Sequence, residues 1–181
     1  MPVTYQLHKL SSEDLANSMD ELVELYRPAF SEPPWQETPE ELARYADRLS
    51  LQLDTYPGIT GVGAKLDGRL VGVVYGWPAM AEFPDTPFYD SLKAAIPAEA
   101  RQQLLAPALE IVQLMVGDAH RGNGIGRLLL EVYTDGWPKA WLCTHPKAPA
   151  RRLYDRAGWQ AIGEFLSDRD VPRVVYTKAP S

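Results

Sequence analysis

The densest chemistry in this sequence lies at Arg121-Gly122-Asn123-Gly124-Ile125-Gly126-Arg127. Three glycines alternate between two arginines, after the apolar run Val112–Val116 and before Leu128-Leu129-Leu130. A turn of this composition lets backbone N–H groups close around a phosphate, with a helix N-terminus aimed at its charge. Two phosphate motifs fail here. The dinucleotide pattern G-x-G-x-x-G wants a third glycine at 127, where Arg127 stands. In the P-loop frame set by Gly117 and Gly122, Asn123 and Gly124 replace the lysine and hydroxyl residue that contact phosphate and magnesium. A tight strand-to-helix turn without a ligand is the plain alternative.

A second candidate is Glu110, in Leu109-Glu110-Ile111-Val112-Gln113-Leu114-Met115-Val116. A carboxylate within an apolar strand is costly unless paired or solvated. Such a setting can move a carboxyl into the working range of a base. The same glutamate could also sit in water at the strand mouth. Gln113 either lines a pocket or satisfies a backbone group. His145 could act as a base, but its place before Pro146 favours a structural role. His120 is expected at the surface, and Cys143, within Trp-Leu-Cys-Thr, is expected to be a small buried filler.

The pattern Arg/Gln-x-x-Gly-x-Gly/Ala, met by residues 121–126, resembles the acyl-CoA pyrophosphate loop of the GNAT (GCN5-related N-acetyltransferase) superfamily. A second segment strengthens the resemblance. Ala150-Arg151-Arg152-Leu153-Tyr154-Asp155-Arg156-Ala157-Gly158-Trp159 is similar to the second motif of that family, A-x-x-L-Y-x-x-x-G-W, and follows the loop at the expected distance. One departure stands out. Many members carry Asn six or seven residues before this tyrosine, where this chain has Ala148 and Lys147.

The resemblance implies an acetyl-CoA-dependent N-acetyltransferase that works by direct attack of a primary amine. It places Arg121, Gly122, Asn123, Gly124, Ile125, Gly126 and Arg127 on the pyrophosphate. The backbone of Leu114, Met115 and Val116 would pair with the pantetheine arm, which in the family enters where two parallel strands part. Tyr154 takes the place of the acid that faces the CoA sulfur, and Glu110 that of the base, acting through water. Two proton movements are needed: a primary amine of pKa near ~10.4 must lose one, and a leaving thiolate benefits from gaining one. Phe30, Glu32, Trp35 and Glu37 lie where the family often builds one wall of the acceptor site, and Tyr75, Trp77 and Gln113 could add to it. Acid with aromatic suits a small cation. The rival readings are a silent acyl-CoA sensor of the same fold, and an acetyltransferase of protein N-termini or lysines.

These residues need a scaffold, and 181 residues suit one domain, 1–181, with a full core. A first strand is expected at Val3–Leu7, and helices from Ser12 to about Phe30 and from Pro39 to about Asp54. Strands at 61–66 and 69–77 are joined by Asp67-Gly68, a strong hairpin signal. Prolines at 78, 84, 87, 97 and 107 mark the least legible stretch, with short helices near 88–95 and 98–104. A strand at 109–116, a helix at 124–135, a strand at 140–145, a helix at 148–157 and strands near 159–166 and 172–178 complete the order. It predicts an α/β (α+β) fold: a mixed, mostly antiparallel twisted sheet of six to seven strands, flanked by about four helices.

Composition narrows the partners. The net charge of −6 argues against nucleic acid. Residues 1–60 hold eleven acidic and four basic side chains, whereas 119–156 hold seven basic and three acidic, which suits a polyphosphate ligand. No apolar run approaches the ~20 residues that span a membrane. No secretory signal is visible, and one cysteine fits a reducing compartment, so a cytoplasmic protein is expected. One Cys and three scattered histidines make no metal set. Whether the protein is a monomer or a homodimer is left open.

Overall fold

The computed structural model describes residues 3–178. The ends of the expected 1–181 domain lie outside the described residues. Hydrogen bonding orders seven strands as β1-β2-β3-β4-β5-β7-β6, a mixed and mostly antiparallel sheet. Two compact units divide the chain: residues 1–77 with 113–135, and residues 78–112 with 136–181.

In the first unit, β1 (Gln6–Leu10) pairs antiparallel with β2 (Thr60–Leu66), and β2 with β3 (Arg69–Pro78). β1 starts three residues later than the alternation of Val3–Leu7 predicts. Pairing of Leu10 with Gly61 decides it, because that register buries Leu10 to 6% exposure. Asp67 and Gly68 close the β2–β3 hairpin with φ of 50° and 80°, the left-handed pair that a two-residue turn demands. The first expected helix is two helices, α1 (Ser12–Asn17) and α2 (Met19–Ser31). A capping box between Ser11 and Asp14 starts α1, and Ser18 leaves helical geometry at ψ 12°. The second is likewise two, α3 (Pro39–Ala43), opened by a Thr38–Glu41 capping box, and α4 (Tyr45–Thr55). Their apolar faces bury Leu15, Leu22, Leu25 and Leu49.

β3 is buried from Leu70 to Trp77, which explains its continuous apolar run. Gly72 on this strand faces α7 (Ile125–Thr134): a Cβ there would lie 3.2 Å from Ile125 Cγ2 and 3.3 Å from Leu129 Cδ1. The missing side chain lets the helix approach closely.

In the second unit, α5 (Pro87–Ala95), a short α6 (Ala98–Arg101) and a 3-10 turn at Gln102–Leu104 fill the proline-rich stretch. Thr86 caps α5, with Pro87 in its first turn. β4 (Leu109–Val116) begins here, its residues 109–111 pairing parallel with Ala140–Leu142 of β5 (Ala140–Thr144). β5 pairs antiparallel with β7 (Pro172–Lys178), and β7 with β6 (Gln160–Leu166). α8 (Ala150–Arg156) follows β5.

Candidate active site

The glycine loop lies in the first unit. Gly117 N–H donates to the Val71 carbonyl at 2.8 Å, which pins the end of β4 to β3. A 3-10 turn at Asp118–His120 follows, and Asn123 Nδ2 donates to the His120 carbonyl at 3.0 Å, closing the loop on itself. Gly122 and Gly124 have φ of 79° and 76°. No heavy atom lies within 4 Å of where a Cβ would stand at either residue, so conformation demands glycine there, not crowding. Gly124 is the N-cap of α7, has no side chain to cap it, and the first turn holds no acidic residue. The opening N–H groups of a ten-residue helix therefore face outward unsatisfied by protein side chains. Ile125 is buried as the helix anchor, whereas Arg121, Gly122, Asn123, Gly124 and Arg127 are exposed. Arg121 is held by Asp118 at 3.0 Å, with Nε 3.4 Å from the Val116 carbonyl, and Arg127 by Glu131 at 3.0 Å. Upstream, Met115 is buried, while Gln113, Leu114 and Val116 are half-buried.

The proton-transfer candidates lie in the second unit. Glu110 is 8% exposed, and the Tyr89 hydroxyl donates to its carboxylate at 2.8 Å from each oxygen. Side chains alternate along strands, so the register assigns each to a face. Glu110 aligns with Trp141, and Trp141 with Thr177; Cys143 and Val175 share that face. Leu142 and Tyr176 occupy the other. Tyr154, at 5% exposure, packs against Tyr176 and Trp159, with ring centroids 5.4 and 6.0 Å away. Burial, then Tyr176, pushes its phenol pKa up. Glu110 and Tyr154 thus belong to opposite faces of this unit's sheet.

Two other titratable groups nearby are shifted by their surroundings. Desolvation, then the Glu110 carboxylate, raises the pKa of the Cys143 thiol against the pull of Arg173. His145 has its pKa lowered by desolvation and by Arg173 and Lys147, and its Nδ1 accepts from the Lys147 N–H at 3.0 Å. It shapes the turn before α8, as its place before Pro146 implies.

Three residues expected at the acceptor wall, Phe30, Trp35 and Tyr75, join one aromatic chain in the first unit. Trp35 meets Phe30 at 5.1 Å, Phe30 stacks on Tyr26 at 4.2 Å, and Tyr26 on Tyr45 at 4.0 Å. The Tyr45 and Tyr75 hydroxyls are 2.9 Å apart. Tyr75 is 1% exposed and lies in the core beneath this chain, whereas Phe30 and Trp35 are half-buried. Tyr26 donates to Glu37 at 2.6 Å and accepts from Arg48 at 2.8 Å, with the guanidinium 5.4 Å above its ring. Sequence reasoning missed Tyr26, Tyr45 and Arg48 because their helical spacing reads as ordinary amphipathic faces. It also missed Tyr89. Tyr89 lies in the short helix expected near 88–95, but no local pattern ties its phenol to Glu110.

Among the described residues no group of three or more His, Cys, Asp and Glu could hold a metal ion. Nor is any helix there long and apolar enough to cross a membrane.

A family model described as "Acetyltransferase (GNAT) family" matches residues 19–159. Among solved structures, the chain is similar to the PaiA N-acetyltransferase of Thermoplasma acidophilum in complex with coenzyme A. The TM-score is 0.63 at 15% identity, over 97% of this chain and 99% of that one. An aminoglycoside 6'-acetyltransferase type Ii matches with a TM-score of 0.61 at 19% identity, over 96% of both chains. NAA60 of Arabidopsis thaliana, in complex with a bisubstrate analogue, matches with a TM-score of 0.61 at 18% identity, over 97% of both. At these identities the likeness is one of fold. Among curated proteins none is significantly similar in sequence.

Proposed function

The chain belongs to the GNAT acetyltransferase family, and from that premise we propose that it transfers an acetyl group from acetyl-CoA to a primary amine of a small molecule. Acetyl-CoA supplies the activated acyl group and a good leaving thiolate. In this reading the loop 121–127 holds the pyrophosphate through its uncapped helix start, and the backbone of Leu114, Met115 and Val116 aligns the pantetheine arm. The residues fit such a ligand: two left-handed glycines, open space above both, and two flanking arginines.

Glu110 acts as base. It takes a proton from the acceptor ammonium through water, and the neutral amine attacks the acyl carbon. A C–N bond forms and the C–S bond breaks; the nitrogen's second proton passes to the departing sulfur, so that CoA leaves as the thiol, and Glu110 returns its proton to solvent. Tyr154 acts as acid, its hydroxyl donating to the departing thiolate. Since burial raises its pKa, the phenol stays protonated at neutral pH. Its main contribution is a hydrogen bond to developing charge, because full transfer to a thiolate of conjugate pKa ~8.5 runs uphill. The observation that supports this reading best is the glycine loop, whose two left-handed glycines lead into a helix with no side-chain cap. Phe30 and Trp35, with Glu37 beyond Tyr26, supply an aromatic and acidic acceptor wall suited to a small cationic amine, and Tyr75 supports it from below. Gln113 is assigned to the same acceptor role.

The test is CoA thiol release from acetyl-CoA across a panel of polyamines, aminoglycosides, amino-acid derivatives and a lysine peptide. A small amine should be the best acceptor. With it, Glu110→Gln should lower turnover roughly 10²-fold at neutral pH, with partial recovery as pH rises and more amine becomes neutral. A wild-type pH–rate profile for Glu110→Gln would overturn the base assignment. Preference for the peptide alone would overturn the small-molecule assignment.

A further inference from the structure

We propose that Tyr89 is a positioning residue for Glu110, its phenol holding the carboxylate in place and in its charged form. The inference rests on the reading of Glu110 as base. Three observations carry it. The hydroxyl is 2.8 Å from both carboxylate oxygens, so its one O–H is shared between them and holds the end of the side chain in place. Tyr89 is 3% exposed and Glu110 8%, so little water can replace this donor. The helix bearing Tyr89 is itself fixed on the Glu110 face. Phe88 packs edge-on to Phe165 at 5.7 Å, and Gly163 leaves room for Ile96, whose Cδ1 would stand 2.5 Å from a Cβ there. Gly163 aligns with Val175 and Phe165 with Arg173, on the face that carries Glu110.

The polar groups of this face set what else acts on the carboxylate. Tyr89 reaches it from α5. Cys143 from β5 feels its charge, and Arg173 from β7 acts on both Cys143 and His145. β6 presents Gly163 and Phe165 here, which do not titrate. Removing the Tyr89 hydroxyl leaves Cys143, His145 and Arg173 in place. Its loss costs the charged form one buried donor and does nothing comparable to the neutral acid.

Tyr89→Phe keeps the ring among Phe83 and Phe88. The limb of the pH–rate profile that belongs to Glu110 should move up by about one to two pH units, as expected for one hydrogen bond to a charged group. A ¹³C-carboxyl titration of the protein, with Glu110→Gln assigning the signal, should show the same displacement without reference to activity. Incorporating 3,5-difluorotyrosine at 89, a stronger donor, should move the limb the other way. A packing role would lower the plateau of turnover and leave the limb and the carboxyl titration where they are; that result overturns the proposal. If Glu110→Gln loses the limb while Tyr89→Phe keeps it, the Tyr89 assignment fails and the base stands. If Glu110→Gln keeps the wild-type profile, the base assignment fails and takes this proposal with it.

Discussion

Tyr154 shows how a single side chain is tuned by what surrounds it. Its ring is wedged against Tyr176 and Trp159, and no hydrogen bond to its hydroxyl is found among the described residues. Tyr176 by contrast is engaged twice, accepting from Arg151 at 2.8 Å and donating to Asp155 at 2.9 Å. One tyrosine is tied into α8 and the other is left with a donor to give. Tyr154→Phe should therefore lower kcat by roughly 10²-fold, the lower end for acid catalysis, since a thiolate already leaves well. CoA affinity, measured by calorimetry with EDTA present, should change little. Wild-type turnover in this variant would make Tyr154 a packing residue.

At the scale of elements, the start of α7 is the informative case. A strand end pinned to Val71, a 3-10 turn and two left-handed glycines aim an uncapped helix outward. α1 and α3 open on full capping boxes, whereas α7, like α2 and α4, has no side-chain cap. In the proposed reading the N–H groups at the α7 start bind the pyrophosphate. Gly124→Val forces a β-branched residue to φ 76°, a conformation it resists. It should abolish the measurable affinity for CoA while the far-UV spectrum stays native. Unchanged affinity in a folded Gly124→Val protein would reduce the loop to a turn.

Over the whole molecule, buried phenols shape the response to alkaline pH. Tyr26, Tyr45, Tyr75, Tyr133 and Tyr154 all have raised pKa values, chiefly from burial, with Tyr45 and Tyr133 pushed up to about 12. The unfolded chain ionises its tyrosines near pH ~10 and so binds fewer protons than the native state above that point. The stability these groups contribute is fully present below pH ~10 and is lost as pH rises through the folded values. Tm should hold level from neutral pH to about 9 and then fall steeply between about 10 and 12, measured by calorimetry or near-UV dichroism. Replacing Tyr45 and Tyr133 with Phe should soften that fall; an identical fall would assign alkaline unfolding to other groups.

Element type and order were legible in the sequence because they follow from local periodicity and caps. Strands at 109–116 and 172–178 match to the residue, and the Asp67-Gly68 hairpin, the α7 start and the Thr38-Pro39 helix start were readable from two to four residues each. Positions that depend on a distant partner were not. β1 slid to 6–10 because its register with β2 decides which residue is buried. The long N-terminal helices broke at Ser18 and Arg44, positions that bear no side-chain cap. The residue types at the candidate site were visible, since a glutamate in an apolar strand and glycines between arginines are anomalous where they stand. Their partners came only from tertiary structure. Tyr89 meets Glu110 across 21 residues, and Tyr26, Tyr45 and Tyr75 meet across helix and strand. A hydrogen bond of a few ångströms between residues far apart in the chain leaves no periodic trace, because packing against other elements, not spacing along the chain, brings the two groups together.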